Sequence, residues 1–531
     1  MTISENSRLS SVAALAARQG WLRWAILLTA SLGAILEVID VSIVNVALTD
    51  MQGNLGATLA EIGWVVTGYS VANVIIIPLT AWLGERFGRK TYFLFSLVTF
   101  ITASMLCGMA VNLTMLVFAR ILQGLGGGVL LANAQSVIFE TFAPSERSIA
   151  QAVFGLGVIV GPAIGPTLGG YLTDTLGWRW IFFINLPVGI IAVTLAVLFL
   201  PGDAKGDRSH TQRVDWAGIG LLAVGLGCLQ TMLEEGQQEG WFESRFIATL
   251  MVCSVLALLL FVWQELRVEH PAVNLRVLRH RSVAAGSLYS IVLGAGLYGV
   301  IFCVPVFAQN YLRLTATQTG NLMGPGAIAS AFGMIMLAKV TRVVDPRVIV
   351  ACGSVFTAAV AFKLSGITPD MGAHDLFWPL LGRGLASVMM FLPLSLATLG
   401  PVPKKDIAAS SGFYNLTRQL GGSLGIAIIT ALVSRRDAFH ETVLAEKVTP
   451  YSRAAMERIS QMTAAFQASS GDANAAHGQA LAALQQIIHA QAGILTFADV
   501  FRYVGIAFMA SLPLLLLLGR GGNEEAAASA H

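Results

Sequence analysis

Apolar runs long enough to cross a bilayer recur about fourteen times along this chain, from 24–48 near the start to 407–433 and 498–518 near the end. A backbone in hydrocarbon has no water to bond to, so such runs must be helices, and the chain reads as an all-α polytopic membrane protein. Composition agrees: 55% of residues are hydrophobic, 12% are charged and the mean hydropathy is +0.71, which leaves no room for a large soluble domain.

Two acids interrupt the first run. Glu37 and Asp40 lie near its middle, three residues apart and so on one helix face, with Val44 a turn further on. An acid inside a spanning helix costs roughly 2.5–3.5 kcal/mol on insertion scales, so by default it faces protein or an aqueous cavity and has a function there. Arg120, early in the fourth run, is the candidate counter-charge, with Gln123, Gly124 and Gly126-Gly127-Gly128 behind it. A guanidinium keeps its proton, so at membrane depth it needs a carboxylate, carbonyls or water; near a helix end the alternative is that it snorkels to a headgroup. Asn45, Asn415 and Arg418 are candidate cavity-lining residues, with helix-packing hydrogen bonds as the alternative role. The aromatics Trp64, Tyr69, Tyr298 and Phe302 are candidate contacts for an apolar ligand.

The net charge of +3 gives no reason to invoke nucleic acid; the placement of the basic residues says more. With the N-terminus inside, the loops on that side hold Arg86, Arg89, Lys90, Arg147, Arg276, Arg279, Lys404 and Lys405 among others, whereas the opposite short loops hold only Arg179, Arg245, Arg313 and Lys363. This positive-inside pattern predicts cytoplasmic ends on both sides of the chain.

Two echoes group the helices. Phe118-Ala-Arg120 is matched by Leu381-Gly-Arg383, and the following loops Pro144-Ser-Glu-Arg-Ser-Ile-Ala150 and Pro403-Lys-Lys-Asp-Ile-Ala408 are alike. The expected organisation is a leader at 1–23, a six-helix half at 24–200, a linker with two extra spans at 201–284, a second six-helix half at 285–518 and a tail at 519–531. The long segment 434–497 repeats apolar residues at helical spacing, Met456, Ile459, Met462 and Phe466, then Leu481, Leu484, Ile487 and Ile488, and predicts one or two amphipathic external helices.

Three further stretches carry motifs. Gly84-Glu85-Arg86-Phe-Gly88-Arg89-Lys90 is a basic loop whose glycines permit a tight turn. Gly157, Gly161, Gly165 and Gly169 fall at every fourth position, beside Pro162 and Pro166, and predict a close helix–helix seam with bend points. Trp178-Arg-Trp-Ile-Phe-Phe-Ile-Asn-Leu-Pro187 closes the set. In this order they resemble the signatures of the major facilitator superfamily, and with Asp40-Val-Ser-Ile-Val-Asn-Val-Ala-Leu48 and about fourteen spans the chain resembles the EmrB/QacA-type drug:proton antiporters. Ala81, Glu85, Ser42 and Thr49 depart from the family pattern, which commonly has glycine, aspartate, threonine and proline there.

The resemblance implies a major facilitator fold, two six-helix halves plus two inserted central helices, in the bacterial cytoplasmic (inner) membrane. It implies proton-driven efflux of hydrophobic or amphiphilic compounds, with Asp40 exchanging the proton, Arg120 and Gln123 assisting, the 84–90 loop gating and the glycine-proline helix sealing or flexing. The proton motive force stands in place of a cofactor, and a periplasmic adaptor with an outer-membrane channel is an implied partner. Glu37 lies outside the matched motif. Export of fatty acids or of an endogenous metabolite, and proton-coupled import of a small solute, are the alternatives. An enzyme is not indicated: the eight histidines are scattered, the five cysteines sit in apolar segments without C-x-x-C spacing, and no phosphate-binding glycine loop or metal-ligand pattern appears.

Overall fold

The computed structural model describes residues 20–200, 202, 214–312, 314–368, 371–470 and 472–518. The expected leader up to residue 19, most of the linker at 201–213 and the tail 519–531 lie outside the described residues.

Helices dominate. The first set comprises α1 (Gly20–Leu55), α2 (Leu59–Ile76), α3 (Arg89–Gly108), α4 (Leu113–Thr141), α5 (Arg147–Leu176) and α6 (Asn185–Phe199). Two more follow, α7 (Trp216–Glu235) and α8 (Arg245–Arg267). The last set comprises α9 (Arg281–Asn310), α10 (Ala316–Val340), α11 (Pro346–Leu364), α12 (Ala373–Leu399), α13 (Ile407–Ala445), α14 (Arg453–Ser470) and α15 (Ala473–Ser511). Among the described residues thirteen helices are long and apolar enough to cross a membrane, and the bent α5 makes fourteen.

Local chemistry explains the boundaries. Thr58 and Glu61 form a capping box at the start of α2, Asn112 caps α4 by accepting from the Met115 N–H, Asp215 caps α7 and Thr315 with Gln318 caps α10. Prolines set the breaks. Pro78 lies in a 3₁₀ turn, Ile77–Leu79, after which the second span continues as a helix over Thr80–Phe87, and α5 bends by 45° between Pro162 and Ile164.

Several helices outrun the apolar runs that predict them, because a helix with satisfied backbone bonds does not stop where hydrophobicity does. α1 continues past Thr49 and Asp50 to Leu55, and α13 carries through Arg435 and Arg436 to Ala445. At 39 residues each, α13 and α15 are about 58 Å long, well beyond the hydrocarbon thickness. Most of the 434–497 segment is therefore extension of spanning helices, and α14 is the separate amphipathic piece packed against α15.

One pairing scheme recurs in both sets. α1 packs on α5, and α2 and α3 pack on α4; likewise α9 packs on α13, and α10 and α11 pack on α12. Across the seam α5 meets α10, while α13 meets α4 and the broken region of the second span. α7 lies against α2 and α13, bridging the two sets, with α8 outside it. The basic loops gather at one end, here called the basic face; α13, α14 and α15 project at the far face.

Candidate functional site

Asp40 sits wholly inside the first set. Its Oδ2 accepts from Arg120 Nη1 at 2.6 Å, and its Oδ1 accepts from Gln123 Nε2 and from Asn185 Nδ2, each at 2.8 Å. Arg120 also donates from Nη1 to Gln123 Oε1 at 2.7 Å and from Nε to the Val65 carbonyl at 3.1 Å, and its guanidinium lies 4.2 Å from the Tyr69 ring centre. Asp40 is 0% and Arg120 1% exposed, which rules out a snorkelling arginine. Helix geometry brings these groups together: Arg120 and Gln123 are one turn apart on α4, and both face the Asp40 side of α1.

A further shell holds the network in place. Asn185 Nδ2 also donates to Ser104 Oγ at 3.1 Å, and Ser104 Oγ donates to the Phe182 carbonyl at 2.8 Å. Asn185 and Ser104 are the members that sequence reasoning does not single out. Asn185 had a signal, since it lies in the quoted 178–187 motif; Ser104 sits in an apolar stretch where any polar group looks like packing.

Glu37 is also buried but differently held. Its carboxylate accepts from Asn73 Nδ2 of α2 at 3.0 Å and from the Leu131 N–H of α4 at 3.2 Å. Arg418, on α13 across the seam, acts on Glu37 through space without forming an ion pair. The two acids of α1 thus have separate surroundings, one paired with a guanidinium and one held by neutral donors of α2 and α4.

The other expected residues lie in separate places. Asn45, a candidate for cavity lining, is exposed and lies outside both the Asp40 network and the central cavity: its place on α1 is five residues beyond Asp40, on a different face. The glycines of α5 make a close seam with α1: a Cβ on Gly157 would strike Ile35, on Gly161 would lie 3.0 Å from Val38 Cγ1, on Gly165 would strike Ser42 and on Gly169 would lie 2.8 Å from Ile43 Cγ1. Pro166 stands in the same helix, past the bend at Pro162.

The 84–90 loop pins the basic face. Gly88 takes φ +91°, a conformation that favours glycine, and turns the chain from Phe87 into α3. Arg89 pairs with Glu140 at the end of α4, and Lys90 Nζ donates to the carbonyls of Val197 and Leu200 at 2.7 and 2.8 Å. Arg86 lies 5.7 Å from the Trp82 ring centre; Gly84 is buried and Glu85 is exposed beside it.

The same face carries bonds between the two sets. Asn415 Nδ2 donates to Gln135 Oε1 at 2.7 Å, Ser411 Oγ to the Ala132 carbonyl at 2.9 Å and Arg147 Nη1 to the Gly400 carbonyl at 3.1 Å. Arg147, which opens α5 after the first echoing loop, thus reaches the end of α12 just ahead of the second. Above them, a cavity of about 30 Å³ lies between α5, α9, α10, α12 and α13, with Pro162, Tyr298, Arg383 and Arg418 in its wall. That is room for a water or two, far below the several hundred Å³ of a drug pocket, so this conformation is closed around its centre.

Trp64 and Phe302 are exposed, Tyr69 lies under Arg120, and Tyr298 alone of the four aromatics reaches the cavity. At the far face Asp437, Glu441 and His489 bring donor atoms within 4.8 Å of one another, a grouping that sequence spacing conceals because two separate helices supply it.

Comparison with known proteins gives a consistent picture. The Major Facilitator Superfamily profile matches residues 30–426. The multidrug export protein EmrB of Escherichia coli (strain K12) is 36% identical over 434 residues, covering 81% of this chain and 84% of the relative. The fatty acid resistance protein FarB of Neisseria gonorrhoeae is 34% identical over 499 residues, 93% of this chain and 96% of that one. The colistin resistance protein EmrB of Acinetobacter baumannii is 28% identical over 498 residues, 94% and 96% of the two chains. Among solved structures, the human organic anion transporter MFSD10 (TETRAN) shares the fold at a TM-score of 0.56 and 13% identity, over 92% of this chain and 99% of its own. On the profile match and these extended identities, the chain belongs to the major facilitator superfamily of transporters, as one of its EmrB-type members.

Proposed function

We propose that this protein is a proton-driven exporter of hydrophobic or amphiphilic drugs and toxic compounds, working by alternating access. The basic face is taken as cytoplasmic and the membrane as the bacterial inner membrane, with both termini inside, in keeping with the loop charges. The names of the relatives supply the substrate class; the proton is argued from geometry.

The observation that carries the reading is the Asp40–Arg120 pair, the ion pair among the described residues in which both side chains are fully buried. Protonation at Asp40 Oδ2 removes the charge that holds the guanidinium, leaving Arg120 with Gln123, the Val65 carbonyl and the Tyr69 ring. The link between α1 and α4 then weakens. α1 packs on α5, and α5 meets α10 of the other set, so movement at α1 reaches the seam through direct packing. Deprotonation restores the pair. Glu37, held by Asn73 and the Leu131 N–H without an ion-pair partner, is the second candidate proton site.

One proton crossing about 150 mV supplies roughly 3.5 kcal/mol, enough for a substrate gradient of a few hundredfold. No cofactor enters this scheme; the proton motive force drives it. The bonds at the basic face, with the 84–90 loop, form the inner gate, and the bent α5 is where the seam flexes. On the far face, the projecting α13, α14 and α15 are proposed to meet a periplasmic adaptor protein, which leads on to an outer-membrane channel. Exposed apolar residues there, including Phe439, Met456 and Leu481, support that docking role.

The test is a susceptibility and accumulation screen in a host lacking its own efflux pumps. Expression lowers accumulation of amphiphilic compounds, and a protonophore abolishes the effect; unchanged accumulation across the screen would refute the reading.

A further inference from the structure

α7 bridges the two sets, and its far end carries two adjacent carboxylates that the Asp40 network does not include. Glu235 Oε1 accepts from Thr67 Oγ1 of α2 at 2.6 Å. Glu234 Oε1 accepts from Gln230 Nε2, one turn back on α7, at 2.8 Å and from Ser423 Oγ of α13 at 3.4 Å. The same Gln230 Nε2 donates to Ser423 Oγ at 2.7 Å, and Ser70 of α2 lies beside Glu234. The cluster therefore ties α2 of the first set to α13 of the last through the inserted helix. Gln230 is wholly buried, Glu235 is buried and Glu234 is partly so.

Asp40 has a guanidinium to balance it, whereas these two acids have neutral donors only. Neither forms an ion pair among the described residues. The charged groups that act on them are acids, Glu235 on Glu234 and Glu239 on Glu235. On the neighbouring elements, Glu61 near the start of α2 is exposed and bonded to Thr58, and Glu239, Glu243 and Arg245 at the turn into α8 are exposed. α13 presents Arg418, five residues before Ser423, in the wall of the central cavity. Adjacent carboxylates taken out of water without a cation repel each other and lose their hydration, and such groups neutralise by binding a proton. Once α2 and α13 part at the far face, water reaches the cluster and the ionised form is favoured again.

We infer that the far end of α7 is a proton-binding site that governs closure of the far face: Glu234 and Glu235 take up at least one proton from that side before α7 seats against both α2 and α13. The proton leaves to the same side when the face reopens. It therefore gates the cycle without being carried across, in contrast to the proton assigned to Asp40. The inference rests on the alternating-access reading for its place in the cycle, where it makes the return of the emptied transporter wait for protons outside. It also gives the inserted pair a role: α7 supplies the latch and α8 backs it.

The test uses the full chain in nanodiscs, with spin labels at Asn54, near the end of α1, and Gln309, near the end of α9, both exposed at the far face. Distances are recorded without substrate or gradient, so the outcome does not depend on what the protein exports. The ratio of open to closed populations is expected to rise at least about tenfold from about pH 5 to about pH 8, because the closed form holds the extra proton. Glutamine mimics the neutral acid, so the Glu234→Gln, Glu235→Gln double variant should stay closed across that range, and each single variant should flatten part of the profile. Asp40→Asn should keep the parent's response. An unchanged profile in the double variant overturns the inference, as does opening on acidification. Opening of the double variant at every pH also overturns it, since the charged bonds would then be what hold the face shut. A flat profile in Asp40→Asn would move the effect to Asp40. Protons released per substrate are counted in the folded single variants: a count equal to the parent's is expected, and a lower one would make these carried protons, leaving the efflux reading intact and removing this one.

Discussion

Arg120 reaches across from α4 to within 2.6 Å of Asp40 on α1, and neither side chain touches solvent. Removing one partner leaves the other as an uncompensated buried charge or an empty acceptor site. Asp40→Asn and Arg120→Gln are each expected to destabilise the protein by about 3–5 kcal/mol, whereas the double variant recovers much of that loss without recovering transport. Thermal unfolding of the four proteins in one detergent gives the cycle.

The seam between α1 and α5 depends on missing side chains. A Cβ on Gly165 would strike Ser42, so Gly165→Ala is expected to cost about 1–3 kcal/mol and to slow transport, with Ser42→Gly in the same chain easing both. Gly170→Ala is the control, since its Cβ would meet only Val46 at 4.0 Å. Unfolding temperature and vesicle transport rates read the difference.

Closure of the basic face rests on three bonds between the two sets, from Asn415, Ser411 and Arg147. Each neutral bond contributes about 0.5–1.5 kcal/mol, so Asn415→Ala combined with Ser411→Ala should shift the conformational balance roughly tenfold or more toward opening on that face. Spin labels at Ala143 and Pro403, both exposed, would report this as a longer distance population.

Glu37→Gln separates the second acid from the first. Glutamine can still accept from Asn73 but cannot accept at both oxygens, so it loses the Leu131 contact and the charge that Arg418 senses. If Glu37 is a second proton site, the variant should release fewer protons per substrate than the parent while keeping its fold. Proton counts by a pH-indicator dye in weakly buffered detergent solution decide this.

Much of this architecture is legible in the sequence because hydrocarbon permits so few structures. Spans are visible as apolar runs, and a charged residue within a run stands out, so Asp40 and Arg120 are findable on residue type and position alone. The α5 glycines likewise show their spacing, though their partner helix, α1, needs the fold. Less visible is anything that depends on direction within an evenly apolar helix. Glu37 and Asp40 share a face by spacing, yet they meet different partners, because Arg120 and Gln123 reach Asp40 while Asn73 and the Leu131 N–H reach Glu37. Asn45 reads as a member of the site on its residue type and proves exposed. Arg383 reads as an echo of Arg120 and differs from it in what faces it across the bundle, which periodicity does not encode. Helix ends are read short for a similar reason: hydropathy marks the bilayer, and hydrogen bonding carries α13 beyond it.

Whether Asp40 exchanges the coupled proton is tested most directly by substrate-induced proton release together with gradient-driven uptake in inverted vesicles, comparing the parent with Asp40→Asn. The variant is expected to bind substrate, release no proton from this site and fail to accumulate substrate under an imposed pH gradient. Undiminished proton release and uptake by Asp40→Asn would contradict that role.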